Sequence, residues 1–271
     1  MSFGRACAQL AAVTIATTVA AGAMTGCNLR LDSPKPRDPS NVESQLADAE
    51  AKLDAVARAQ TTLLSPADFG PEWTAANAKG LDLYGAEPLT AMIECFNGAT
   101  APKDPKTPVT TSATPATAPN WTGIMGFGIS PMFRLNNIAY AVSLAVETSG
   151  PDLNAKIDKV VGPGGTLSTC IASRLGTEPT VEQQSATSDM VTRWAITTVG
   201  ADRGAPMPLN AALAVVHSGT SYVVLLNAQP AETGFPNPGN LIDVLSSRVV
   251  EAQSKLTQST ATSTTSTTVS P

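Results

Sequence analysis

Histidine occurs once in the 271 residues, at 217, and charged side chains make up only 14% of the chain. One histidine excludes a two-histidine metal site and leaves no spare imidazole for a relay. The four cysteines, at 7, 27, 95 and 170, form no CxxC pair, and GxSxG, SxxK and HExxH are all absent. Gly162-Pro163-Gly164-Gly165 lacks the Lys-Ser/Thr ending of a phosphate loop and carries a proline, so it reads as a connector. Nowhere do Lys and Arg cluster, and the net charge is −5, which argues against nucleic acid or an anionic lipid surface as partner. The 22 carboxylates are scattered without the setting a glycosidase pair needs. No catalytic residue, metal site or cofactor is therefore expected.

What is present begins with a tripartite start. A polar opening with one cation, Arg5, precedes an apolar run from Leu10 to Met24, followed by Met24-Thr25-Gly26-Cys27. This is the layout of a signal peptide over residues 1–26. A cysteine directly after the run resembles the lipobox of bacterial lipoproteins, with Met24 where Leu is usual. The resemblance implies a diacylglyceryl group on the Cys27 thiol, cleavage before Cys27, and an acylated chain held on the outer face of the cytoplasmic membrane. The alternatives are an uncleaved anchor over residues 6–26 or simple secretion, both of which also place the body outside, and a cytosolic chain. Residues 27–39 then form a lipidated cysteine and a spacer stiffened by Pro34, Pro36 and Pro39.

Residues 40–256 hold enough apolar sequence for one packed domain. Ser40-Asn41-Val42-Glu43 has the form of a capping box, and Val42, Leu46, Ala49, Leu53, Val56 and Leu63 follow on one face of a helix over about 41–63. That stripe is either a partner seam or the face packed on the domain itself, and packing is the expected use. Further helices are expected at 86–96, 152–161, 166–175 and 240–256. Strands are expected at 137–147 and 190–199, with a hairpin of 211–216 and 222–228 around His217-Ser218-Gly219-Thr220, where His217 is an exposed turn residue. Residues 99–120 hold six Thr, five Pro and five Ala and cannot bury enough surface to offset ordering, so they read as a mobile loop. Residues 257–271, with 11 Ser or Thr among 15 and no charge, read as a disordered tail. Trp121, Phe127 and Phe133, set among Gly123, Gly126 and Gly128, either line an apolar groove or are core residues of a tight strand or turn.

Cys7 leaves with the leader and Cys27 takes lipid, so Cys95 and Cys170 remain as an even pair in an oxidising compartment. A disulfide is the expected outcome; a redox-active pair and two separate buried thiols are the alternatives.

The segment Leu63-Leu64-Ser65-Pro66-Ala67-Asp68-Phe69-Gly70-Pro71-Glu72-Trp73-Thr74, one cysteine in each half, and the closing hairpin Val215–Leu226 with its terminal helix carry a family likeness. Over roughly residues 60–256 the chain resembles the sensor-like lipoproteins of actinobacteria, related to the extracellular sensor domain of a mycobacterial membrane Ser/Thr kinase, and the lipoproteins of PsbP-like fold. The resemblance implies an antiparallel sheet packed by helices, with cysteine pairs stapling helices to the sheet. The kinase sensor has two disulfides, whereas one pair is available here. The expected fold is thus α+β, with a mainly antiparallel sheet of four or five strands and helices on one face. The expected function is a membrane-anchored, non-catalytic binding module with an unidentified envelope ligand or protein. A carrier of lipid or another apolar ligand is the first alternative, and an envelope hydrolase the second.

Overall fold

The computed structural model describes residues 39–76, 87–100, 118–136, 138–185, 188–202 and 204–264. The expected signal segment 1–26, Cys27 and the expected spacer to 38, the middle of the Thr/Pro/Ala segment (101–117) and the tail beyond 264 lie outside them. The body begins at Glu43.

The helices are α1 (Pro39–Thr61), α2 (Pro88–Phe96), α3 (Pro151–Val161), α4 (Leu167–Leu175) and α5 (Gly239–Thr264). Proline opens α1, α2 and α3, where its fixed φ suits the first turn and its missing N–H costs nothing. The Gly162–Gly165 segment connects α3 to α4. Helix α5 runs past the Leu256 end expected from sequence into the Ser/Thr-rich segment, as a helix already nucleated on the body can.

The sheet is antiparallel throughout and has eight strands where four or five are expected from sequence. They are β1 (Trp73–Ala76), β2 (Ile124–Ile129), β3 (Met132–Leu135), β4 (Ala139–Thr148), β5 (Thr177–Gln184), β6 (Val191–Asp202), β7 (Ala205–Ser218) and β8 (Ser221–Pro230). Their order is β1-β3-β4-β8-β7-β6-β5, and β2 pairs the other half of the β4 edge that β3 uses. Ser130, between β2 and β3, keeps that edge joined: its N–H donates to the Ser143 carbonyl, and its Oγ accepts from the Ser143 N–H. The strands missed in the sequence are β1, β2, β3 and β5. They are short, glycine-bearing or, in β5, an outer strand rich in Thr, Glu and Gln, and so lack the alternation that betrays a half-buried strand.

Helices cover both faces of the sheet, which corrects the one-face arrangement expected. On one side α2, α3 and α4 pack on Val142, Leu144, Leu213, Val224 and Leu226. On the other, α5 and the last turns of α1 pack on Ala141, Ala145, Ala214, Val223 and Leu225. Successive residues of β4 and β8 point to opposite faces, and both are apolar at odd and even positions. Both strands are almost wholly buried in consequence. Only a two-sided cover can satisfy such a pattern.

Glycine decides how α1 approaches. A Cβ on Gly126 would stand 2.4 Å from the Ala55 carbonyl carbon and 2.5 Å from the Val56 nitrogen. Strand β2 therefore admits the α1 backbone directly. Gly126→Ala is expected to cost about 2 kcal/mol by overpacking, read as a lower denaturant midpoint with an unchanged slope.

The aromatic residues near these glycines are core residues and do not share one groove. Phe133 packs beneath α5 and stacks on Phe69 with centroids 4.3 Å apart, whereas Trp121 and Phe127 lie against the opposite core. The Trp121 Nε1–H donates to the Phe96 carbonyl at 2.9 Å, and Asn97 bonds both the Ala118 carbonyl and the Asn120 N–H. The downstream end of the 99–120 segment is thus pinned to the end of α2, because Asn97 offers donor and acceptor together.

Candidate functional site

The apolar stripe of α1 does not pack on the domain as expected. Residues Val42 to Asp54 are all exposed, with Leu46 59% and Leu53 70% accessible, and Val56 remains 38% accessible. The flank that packs is Ala55, Ala59 and Thr62, roughly a third of the way round the helix from the stripe. Small side chains let these last turns sit on Gly126 and Gly128, and Leu63 alone of the stripe enters the core. The earlier turns extend beyond that contact. The sequence held a signal for this: Val42, Leu46, Ala49, Leu53 and Val56 step by four, three, four, three, the 3.5-residue period of a helix–helix seam.

A second cluster surrounds His217, which lies in β7 opposite Tyr222 of β8 and not in the hairpin turn. The turn is only Gly219-Thr220, and Gly219 takes φ +57°, the left-handed start that a two-residue hairpin of this kind demands. The imidazole stacks on the Tyr222 ring, with centroids 4.0 Å apart and planes 6° apart. Its Nε2–H donates to the Gly219 carbonyl at 3.1 Å, and Nδ1 stands 3.9 Å from Asp158 Oδ1. Asp158 accepts from the Tyr222 hydroxyl at 2.8 Å. Burial pushes the Tyr222 phenol well above the usual range, and the Asp158 carboxylate adds to the shift, so Tyr222 stays a donor at every working pH. These partners come from α3, β7 and β8, and no local sequence signal connects them. With Nε2 committed to a backbone carbonyl, the cluster acts as a clasp of α3 on the hairpin. The nearby Ser221 hydroxyl is on the opposite sheet face, where it donates to Glu147.

Glu147 is the centre of that opposite network. It is 1% exposed, accepts from the Ser221 and Thr220 hydroxyls, and lies 3.6 Å from Arg58 Nε. Gln253 of α5 donates to Thr220 Oγ1 and Ser221 Oγ at 3.2 and 2.6 Å. A buried carboxylate needs such partners, and together they tie α1 and α5 to one end of the sheet.

Of the residues singled out in the sequence, Cys27 lies outside the described residues, while Cys95 and Cys170 are joined in a disulfide. The bridge links α2 to α4, with Cα atoms 5.6 Å apart and both residues fully buried. Beside it Glu94 and Arg174 form an ion pair across the same two helices. Among the described residues, no group of three His, Cys, Asp or Glu side chains is placed to hold a metal ion. Nor, among them, is any helix long and apolar enough to cross a membrane. No protein-family model matches the chain, and no curated protein matches it.

Proposed function

We propose that the chain is a lipid-anchored lipoprotein of the bacterial envelope, held through Cys27 on the outer face of the cytoplasmic membrane, and that it acts by binding and not by catalysis. The observation that carries this reading is the bare apolar face of α1. A soluble helix that leaves Leu46 and Leu53 in water has an unmet hydrophobic demand, which association would satisfy. The position of α1 in the sequence supports the reading. It follows the lipobox-like Met24-Thr25-Gly26-Cys27 by a short polar, proline-bearing stretch, so an anchor at Cys27 would hold the exposed face near the bilayer. The likeness to sensor-like lipoproteins agrees with a binding role, and the disulfide is the kind of staple an oxidising compartment permits.

Cys27→Ala in the full chain tests the anchor. Metabolic labelling with a palmitate analogue is expected to fall to background, with the protein unprocessed or shed into the medium. Unchanged labelling would refute lipidation at this residue.

A further inference from the structure

We infer that the exposed face of α1 is a self-association seam, whose occupant is the α1 helix of a second copy lying parallel and in register. Three observations lead there. The spacing of Leu46, Ala49, Leu53 and Val56, continued in sequence to Val42, is the alternation of three and four that keeps one seam facing another helix along its length. The flank that docks on β2 is a different one, so each body stays on its own side when two seams meet. The third observation is charge. Glu43, Asp48, Glu50 and Asp54 outweigh Lys52 and Arg58, which disfavours burial of this face in an anionic bilayer. In a parallel pair, Gln45 flanks Glu50 of the other copy and Lys52 flanks Ala57, so from Gln45 to Ala57 no like charges meet across the seam.

The parallel register rests on the lipid-anchor reading. Residues 28–38 span at most about 40 Å when fully extended, so two copies tethered at Cys27 start their α1 helices at similar heights and with the same polarity. The seam from Val42 to Val56 is only about 21 Å long. It is therefore weak in free solution and gains from the raised effective concentration of two chains in one membrane.

The test is disulfide trapping of the full chain in intact cells, with the unsubstituted chain as background. Ala49→Cys places a thiol in the seam; Ala51→Cys places one on the far side of the helix. Mild oxidation is expected to yield several times more covalent dimer from Ala49→Cys than from Ala51→Cys, and Leu46→Glu with Leu53→Glu should abolish the Ala49→Cys product. Equal trapping at both positions would mean random collision and overturn the seam, as would no trapping at 49. Residue 49 shielded from a water-soluble maleimide without trapping would give the face to lipid or another protein and overturn it equally. Palmitate labelling of the same chains keeps the two readings apart. Trapping without label overturns the anchor and leaves the pairing, and label without trapping overturns the pairing alone.

Discussion

Cys95→Ala with Cys170→Ala is expected to lower the unfolding free energy by about 4 kcal/mol. The bridge closes a loop with a sequence separation of 75, and a cross-link of that span removes roughly this much conformational freedom from the unfolded chain. The loop contains the Thr/Pro/Ala segment, β2 to β4 and α3, so without the bridge α2 and α4 are joined only through that long stretch of main chain. A single domain has about 5–15 kcal/mol in total, and this loss would therefore dominate the protein's resistance to heat and proteolysis. Both sulfur atoms are inaccessible in the folded protein, so alanine leaves only a small void and adds no polar group to the core. Denaturant melts followed by tryptophan fluorescence, with and without reductant, measure the effect. The reduced unsubstituted chain should behave like the double variant, and a difference below about 1 kcal/mol would show that helix packing alone fixes α2 against α4.

The second large effect is expected at Asp68. Arg248 of α5 grips its carboxylate with both terminal nitrogens, at 2.6 Å to Oδ1 and 2.8 Å to Oδ2. The Ser65 N–H donates to the same Oδ2 at 2.7 Å, and Arg248 also donates to the Leu63 carbonyl. This fork locks the turn after α1 onto α5. Asp68→Asn removes the charge and turns an amide N–H₂ toward donors, leaving the guanidinium without its counter-ion; the expected cost is about 3 kcal/mol. Burial pushes the Asp68 carboxyl up, but the Arg248 and Ser65 contacts together outweigh it and hold the group below its ordinary value. Since the folded value is the lower one, this contribution is complete above the unfolded carboxylate range near pH 4 and disappears as pH falls through the folded value. The stability gap between the original chain and Asp68→Asn should therefore be constant from pH 5 to 7 and narrow below about pH 4. A gap that persisted unchanged at pH 2 would assign the cost to packing.

The elements with strong periodicity were legible. Strands β4, β6, β7 and β8 and all five helices have counterparts in the sequence pattern, because each carries a run of apolar residues long enough to show its period. The cysteine pair was legible by elimination. Strands β1, β2, β3 and β5 were not, since their place in the sheet is set by neighbours: β1 pairs β3 more than fifty residues away, β2 pairs β4 at least fifteen residues away, and β3 is too short to show a period. A Gly-containing tetrapeptide reads as a four-residue loop, which puts His217 in the turn. Pairing instead carries β7 on to Ser218 and leaves Gly219-Thr220 as the turn.

The sequence by itself determined the α+β class, the antiparallel hairpin core and the staple, because local period and residue type are enough to specify elements that each carry a long apolar run. Only the tertiary structure decided which helices cover which face of the sheet, since the apolar runs of β4 and β8 demand cover on both sides but do not say which helices supply it. It decided as well which face of α1 packs. The stripe of larger side chains is the better hydrophobic surface, yet the glycines of β2 accept backbone at close range and favour the small face of Ala55 and Ala59, leaving Leu46 and Leu53 in solvent. Hydrophobicity ranks the faces of a helix, but the shape of the surface it meets selects among them.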